Sequence, residues 1–231
     1  MDTSPPSRAP RLVPTALLCM ASLAIFLSQS ARLTAGFEYW TLESRRQAEA
    51  RQGQLQTSAL WLRDAAGRQH LAFDAAAGSG NKGGIAHKSE RLYLVDFIYT
   101  RCASVCLALG SEFQQAQALL SAESDTSVGL LSLSIAPDED SGVDLAKYAN
   151  RFGANPQHWQ VMAPLDQEQS TRYLRELGVV ALPDGQGGYV HNGDIHLIDA
   201  AGRVRGIWNY GDWRQALAAA QHLAHANGGG S

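Results

Sequence analysis

The stretch LYLVDFIYTRCASVCLAL, residues 92 to 109, carries the reading of this chain. Its first eight residues are a nearly unbroken apolar run, the pattern of a strand covered on both faces. From Val105 the spacing becomes that of a helix running to about Ser121, with Leu109, Phe113, Ala116 and Leu120 on one face. Cys102 and Cys106 fall at the handover. The free N–H groups and dipole of a helix start favour a thiolate there, and Arg101 adds positive charge. A low thiol pKa suits a redox nucleophile and a soft-metal ligand equally. Asp96 lies inside the apolar run, where a carboxylate is costly unless paired or protonated, which makes it a candidate proton acceptor for the thiols.

Spacing separates the two chemistries further. Helical residues four apart have Cβ atoms ~5–6 Å apart, whereas an unstrained disulfide has about 3.8 Å. Two metal–thiolate bonds of about 2.3 Å, the zinc value, bridge up to ~4.6 Å between sulfurs. If Cys102 is already helical, the spacer accommodates a shared metal more easily than a disulfide. Two thiolates select Cu(I), zinc or an iron–sulfur site. The chain has three cysteines, and the remaining one, Cys19, sits in an N-terminal apolar run, so a third ligand has to be an imidazole. His191, in a Gly-rich loop ahead of a strand in GGYVHNGDIHLID (187–199), is the preferred candidate. His196 lies inside that strand with different parity, His222 and His225 end the last helix, and His70, His87 and His158 carry no contextual signal. A structural disulfide and a surface-exposed His191 are the bland readings of the same residues.

Outward from this stretch, strand and helix patterns interleave. SALWLRDAAGRQHLAF (58–73) reads as a hairpin turning at Ala65-Ala66-Gly67. VGLLSLSI (128–135) is a second buried strand, Leu145 to Phe152 a helix, and WQVMAPL (159–165) a strand. Thr171 to Leu177 belongs to a helix ended by Gly178. DIHLIDAAGRVRGIW (194–208) is a hairpin turning at Ala200-Ala201-Gly202, and Asp212 caps a final amphipathic helix. The fold class is α/β, a three-layer domain with a central sheet flanked by helices.

The N-terminus is organised differently. LVPTALLCMASLAIFL (12–27) spans ~24 Å as a helix, near the short limit for a membrane span. Extension to Ala35 lengthens it, and Phe37, Tyr39 and Trp40 stand where an interfacial aromatic belt lies. A cleaved signal sequence ending near Ser28-Gln29-Ser30 is the competing reading. The expected organisation is a cytoplasmic N-terminus (1–11), an anchor or signal (12–35), a juxtamembrane stalk (36–54), the α/β domain (55–226) and a tail (227–231), with a Gly-rich loop at 75–84. With 19 basic and 22 acidic residues the formal charge is −3, so no electrostatic footprint for nucleic acid is present.

Three motifs in order, VDFIYTRCASVC (95–106), LSIAPDED (133–140) and VHNGDIHLIDAAGRV (190–204), resemble the Sco/SenC family of thioredoxin-fold copper proteins, over roughly residues 55 to 226. The resemblance implies a thioredoxin-like fold and a single mononuclear copper site, Cu(I) with Cu(II) as a second state, held by Cys102, Cys106 and His191. It also implies a bacterial inner-membrane protein with its domain in the periplasm. The implied role is maturation of the binuclear copper centre of cytochrome c oxidase subunit II, or of another periplasmic cuproprotein, by handing over copper or by keeping the acceptor cysteines reduced. The VDF segment is also similar to thioredoxin, where that acid is buried behind the active site. Three positions depart from the family pattern: Ala103 replaces a proline, and Ala136 and Val190 replace acids. A thiol–disulfide oxidoreductase using Cys102 and Cys106 on a disulfide partner, and a non-catalytic docking factor, are the alternatives.

Overall fold

The computed structural model describes residues 12–34, 41–74, 91–101, 105–123, 127–185 and 188–228. Cys102, Ala103, His87, the 75–84 loop and the aromatic residues at 37, 39 and 40 lie outside the described residues, as does the side chain of Cys106. The chain forms two compact units, 1–45 and 46–231.

The first unit contains α1 (Leu12–Leu33), whose residues 13–33 have a mean hydropathy of 1.6, long and apolar enough to cross a membrane. Its 22 residues extend about 33 Å at the helical rise, close to a hydrocarbon core.

The second unit is built on a seven-stranded sheet. Its strands are β1 (Leu60–Arg63), β2 (Gln69–Ala72), β3 (Leu92–Ile98), β4 (Val128–Ser134), β5 (Trp159–Pro164), β8 (Asp194–Asp199) and β9 (Val204–Asn209). A separate two-stranded sheet pairs β6 (Ala181–Pro183) with β7 (Tyr189–His191). The order across the large sheet is β2-β1-β5-β4-β3-β8-β9. The three central strands β5, β4 and β3 are parallel, with Leu92 opposite Val128 and Ile98 opposite Ser134. The flanking strands β1 and β8 run antiparallel to them. Every residue of β3 and β4 is buried, as expected of parallel strands covered on both faces.

The helices are α2 (Leu42–Arg51), α3 (Val105–Ala122), α4 (Gly142–Phe152), α5 (Gln167–Leu177) and α6 (Trp213–Gly228). On one face, Phe113 of α3 and Phe152 of α4 meet Trp159, whose indole N–H donates to Ser132 at 2.9 Å. Trp213 and Leu217 of α6 are buried, and α6 lies over β3 and β9. On the other face Tyr173 of α5 stacks on Phe73 at 6.0 Å, and Phe97 meets His196 edge-on at 5.5 Å. In the second unit's part of α2, Ala48 and Ala50 are buried and Arg46 donates to the Glu176 carbonyl at 2.7 Å.

Local chemistry explains the boundaries. Ser141 and Asp144 form a reciprocal capping box at the start of α4, and Asp166 caps α5 by accepting from Gln169 N–H at 2.8 Å. Gly178 ends α5 at φ 69°, a left-handed conformation that costs a side-chain-bearing residue about 1 kcal/mol or more. Asp212 departs from the expected capping role. It closes a one-turn 3-10 helix (Tyr210–Asp212) that runs directly into α6, and its carboxylate accepts from the Gln215 side chain at 3.5 Å. α6 runs through Asn227 to Gly228.

Candidate metal and thiol site

The site lies at the carboxyl ends of β3 and β4, where open α/β sheets place their ligands. β3 ends at Ile98 and is followed by Tyr99, Thr100 and Arg101, which lead to Cys102; α3 begins at Val105, so Cys106 occupies its first turn. Unpaired N–H groups and the positive end of the dipole are concentrated in that turn, the setting that lowers a thiol pKa.

Arg101 does not stand as an unpaired cation beside the thiols. Its guanidinium binds the Glu139 carboxylate at 2.8 Å and lies 5.1 Å from the Tyr99 ring centroid. Glu139 belongs to the loop after β4, and that loop is fastened beside the cysteine segment. Ile135 N–H donates to the Ile98 carbonyl at 2.9 Å, and the Asp140 carboxylate accepts from Thr100 Oγ1 at 2.5 Å and Ser134 Oγ at 2.7 Å. Burial raises the Asp140 pKa, while these hydroxyls hold it down.

His191 ends β7, paired with Ala181, rather than standing in a loop. The Gly-rich composition before it hid a three-residue strand too short for periodicity to register. The ring is half-buried, and its Nδ1 lies 3.0 Å from the Asn192 carbonyl. A carbonyl only accepts, so Nδ1 carries the proton and Nε2 carries the ring's lone pair. Burial lowers the His191 pKa against the opposing effect of that backbone bond, so the imidazole is neutral at pH 7. A neutral imidazole with its tautomer set by a backbone carbonyl is the form that ligates metal.

The His191 segment reaches the cysteine segment through Tyr189. The Tyr189 ring meets Tyr99 edge-on at 5.2 Å, and its hydroxyl donates to Glu139 at 3.0 Å. Among the described residues no group of three metal-binding side chains is present; Cys102 and the Cys106 side chain lie outside them.

Asp96 is fully buried in β3, and neither of its oxygens has a hydrogen-bond partner among the described residues. Burial pushes its pKa up to about 7; the Ser132 hydroxyl lowers it and the charge of Glu112 raises it. Glu112, on α3, is itself raised to about 7 by burial, with Arg214 opposing. Two carboxyls raised toward neutrality thus lie at the cysteine helix, Glu112 on α3 and Asp96 on the strand it packs against. Six residues of helix, ~9 Å of rise, separate Cys106 from the level of Glu112. His196 is structural: its Nε2 lies 3.3 Å from the Leu177 carbonyl on the α5 face, and burial lowers its pKa to about 4.

Sequence reading missed Glu139, Tyr99, Tyr189 and Glu112. Tyr99 and Tyr189 each stand within three residues of a candidate ligand, a signal that was available. Glu139 and Glu112 look like ordinary surface acids, and only the fold shows their neighbours.

Comparison with known proteins follows the same lines. The sequence profile described as SCO1/SenC matches residues 64–226. A protein of Bacillus subtilis (strain 168) described as a SCO1 protein homolog is 24% identical over 120 residues, which are 51% of this chain and 62% of that protein's own length. Among solved structures, BsSco, described as having a disulfide switch and as a member of the Sco family of cytochrome c oxidase assembly proteins, is 16% identical with a TM-score of 0.60, covering 74% of this chain and 94% of that one. ScoI of Bradyrhizobium japonicum, with copper bound, is 20% identical with a TM-score of 0.54, covering 72% and 98%. The fold is the thioredoxin-like α/β fold of these structures.

Proposed function

Because the chain belongs to the SCO1/SenC family, we propose that it is a membrane-anchored copper-binding assembly factor for a respiratory cuproprotein. Cys102, Cys106 and His191 hold one copper ion as cargo, and subunit II of cytochrome c oxidase is the preferred recipient. The anchor is α1, and the domain of about residues 55–226 faces the periplasm. The observation that carries the reading is His191: a half-buried neutral imidazole, protonated on Nδ1, on a segment bound through Tyr189 to the segment that leads into Cys102. The donor set fits a soft ion. Two thiolates and an imidazole favour Cu(I), and the same ligands tolerate Cu(II). ScoI of Bradyrhizobium japonicum, of the same fold, carries copper, which supports the assignment.

Competitive Cu(I) titration of the reduced, detergent-solubilised full chain tests this. The wild type takes up one ion per chain, and His191→Ala weakens binding by at least about tenfold, the expectation for losing one of three ligands or its support. Unchanged affinity in His191→Ala sinks the assignment of the third ligand.

A second reading rests on the buried Asp96 carboxyl. A Cys102 thiolate attacks a partner disulfide to form a mixed disulfide, releasing one partner thiolate. Cys106 then attacks Cys102, closing an intramolecular disulfide and releasing the second partner thiolate, so that two electrons pass to the partner. Asp96, fully buried in β3 and raised to about 7 by burial, is the candidate proton acceptor for the thiols. An intramolecular bridge that resists a glutathione-poised buffer excludes this activity.

A further inference from the structure

One carboxylate joins the two halves of the candidate site. Glu139 Oε2 accepts from the Tyr99 hydroxyl at 2.9 Å and from Arg101 Nη2 at 2.8 Å, while Oε1 accepts from the Tyr189 hydroxyl at 3.0 Å. Tyr99 and Arg101 lie three and one residues before Cys102; Tyr189 lies two before His191. The loop that presents Glu139 is itself fixed. Arg63 donates to the carbonyls of Pro137 at 2.7 Å and Asp140 at 2.6 Å, and Asp140 binds Thr100 and Ser134. The Tyr99–Tyr189 ring contact closes the same circuit.

As a stability device this cluster is weak. The Arg101 and Glu139 side chains are 53% and 42% exposed, and exposed ion pairs contribute little. Its geometry has a different consequence. β7 belongs to a two-stranded sheet separate from the large sheet that carries the cysteine segment. β7 continues through Asn192 and Gly193 into β8, which pairs with β3, so the backbone sets the coarse position of His191; beyond that, the Tyr189–Glu139 hydrogen bond and the Tyr99–Tyr189 ring contact tie β7 to the residues that lead to Cys102.

We propose that Glu139 is a positioning residue, which holds the segment entering Cys102 against the segment carrying His191 so that thiolate and imidazole meet one ion. The proposal deepens the copper-site reading above and rests on it for its metal readout. Without Glu139 the two segments keep the Tyr99–Tyr189 ring contact and the backbone link through β8 but lose their hydrogen-bonded tie, and a ligand that must be ordered at the moment of binding costs affinity.

The test uses the full chain in detergent, as wild type, Glu139→Ala, Glu139→Gln, Tyr189→Phe and the double variant Glu139→Ala/Tyr189→Phe. The first arm is amide hydrogen exchange of the metal-free protein. Glu139→Ala raises exchange at 99–101 and 188–192 together, by about tenfold or more, and leaves β3, β4 and α5 unchanged. The second arm is copper affinity with the thiolate-to-Cu(II) absorption band, which a purely structural residue would not move. Glu139→Ala weakens binding about tenfold and shifts the band, Glu139→Gln falls between it and wild type, and the double variant is no worse than Glu139→Ala. Equal affinity and spectrum in wild type and Glu139→Ala overturn the proposal and leave the copper reading standing. If wild type takes up no copper, the copper reading fails and exchange alone decides: a coupled rise supports the tie, and a rise in neither or only one segment overturns it.

Discussion

Asp96 and His196 set opposite acid responses from the two faces of one sheet. Asp96 is raised from 3.8 to about 7, so the folded state binds its proton more tightly than the unfolded state. Its stabilising contribution is complete below pH 3.8 and is lost as pH rises through 7. Asp96→Asn, which stays neutral, should therefore match wild type near pH 4 and exceed it at pH 8 by roughly 2–4 kcal/mol. Urea unfolding at the two pH values measures this; a pH-independent difference contradicts it. His196 is lowered from 6.5 to about 4, so the unfolded state binds the proton more tightly and stability falls as pH drops from 6.5 toward 4. His196→Leu should be less acid-sensitive than wild type over that window in the same assay. Both residues were visible in the sequence as polar intruders in apolar strands. The difference in role was not, because it depends on Glu112 lying over one face and the Leu177 carbonyl over the other.

At the scale of elements, the central strands and most helices were legible because their signals are local. β3 and β4 are continuous apolar runs, and Gly67 and Gly202 mark the two hairpin turns at φ 77° and 82°. Caps were partly legible: Gly178 was read as the end of α5, and Asp166 at its start was not. Asp166 begins α5 in extended backbone and accepts from both the backbone and side chain of Gln169. Asp166→Ala should lower stability by about 1 kcal/mol, since the cap satisfies one orphan N–H of α5. A chemical-denaturation midpoint with an unchanged slope reads this out. The β6–β7 pair was not legible: two three-residue strands separated by a polar, glycine-rich connection carry no period long enough to detect. That gap mattered, since β7 is the strand that delivers His191.

The whole chain pairs an apolar helix with an α/β domain whose thiols and imidazole come from two separately built segments. By its length and apolar composition α1 is a candidate membrane span. The full chain should remain with the membrane fraction after carbonate extraction, and a chain starting at Arg46, the beginning of the second compact unit, should be recovered soluble. Recovery of the full chain in the soluble fraction contradicts the anchor. The proposed copper site could be read from the sequence only as three positions, because the Tyr189–Glu139 tie beside them exists only in the folded chain. Copper-edge X-ray absorption of the reduced, copper-loaded full chain tests the central claim most directly. A three-ligand site gives two sulfur neighbours and one imidazole nitrogen per copper, with the nitrogen lost in His191→Ala; a sulfur-only shell, or one unchanged by that substitution, contradicts it.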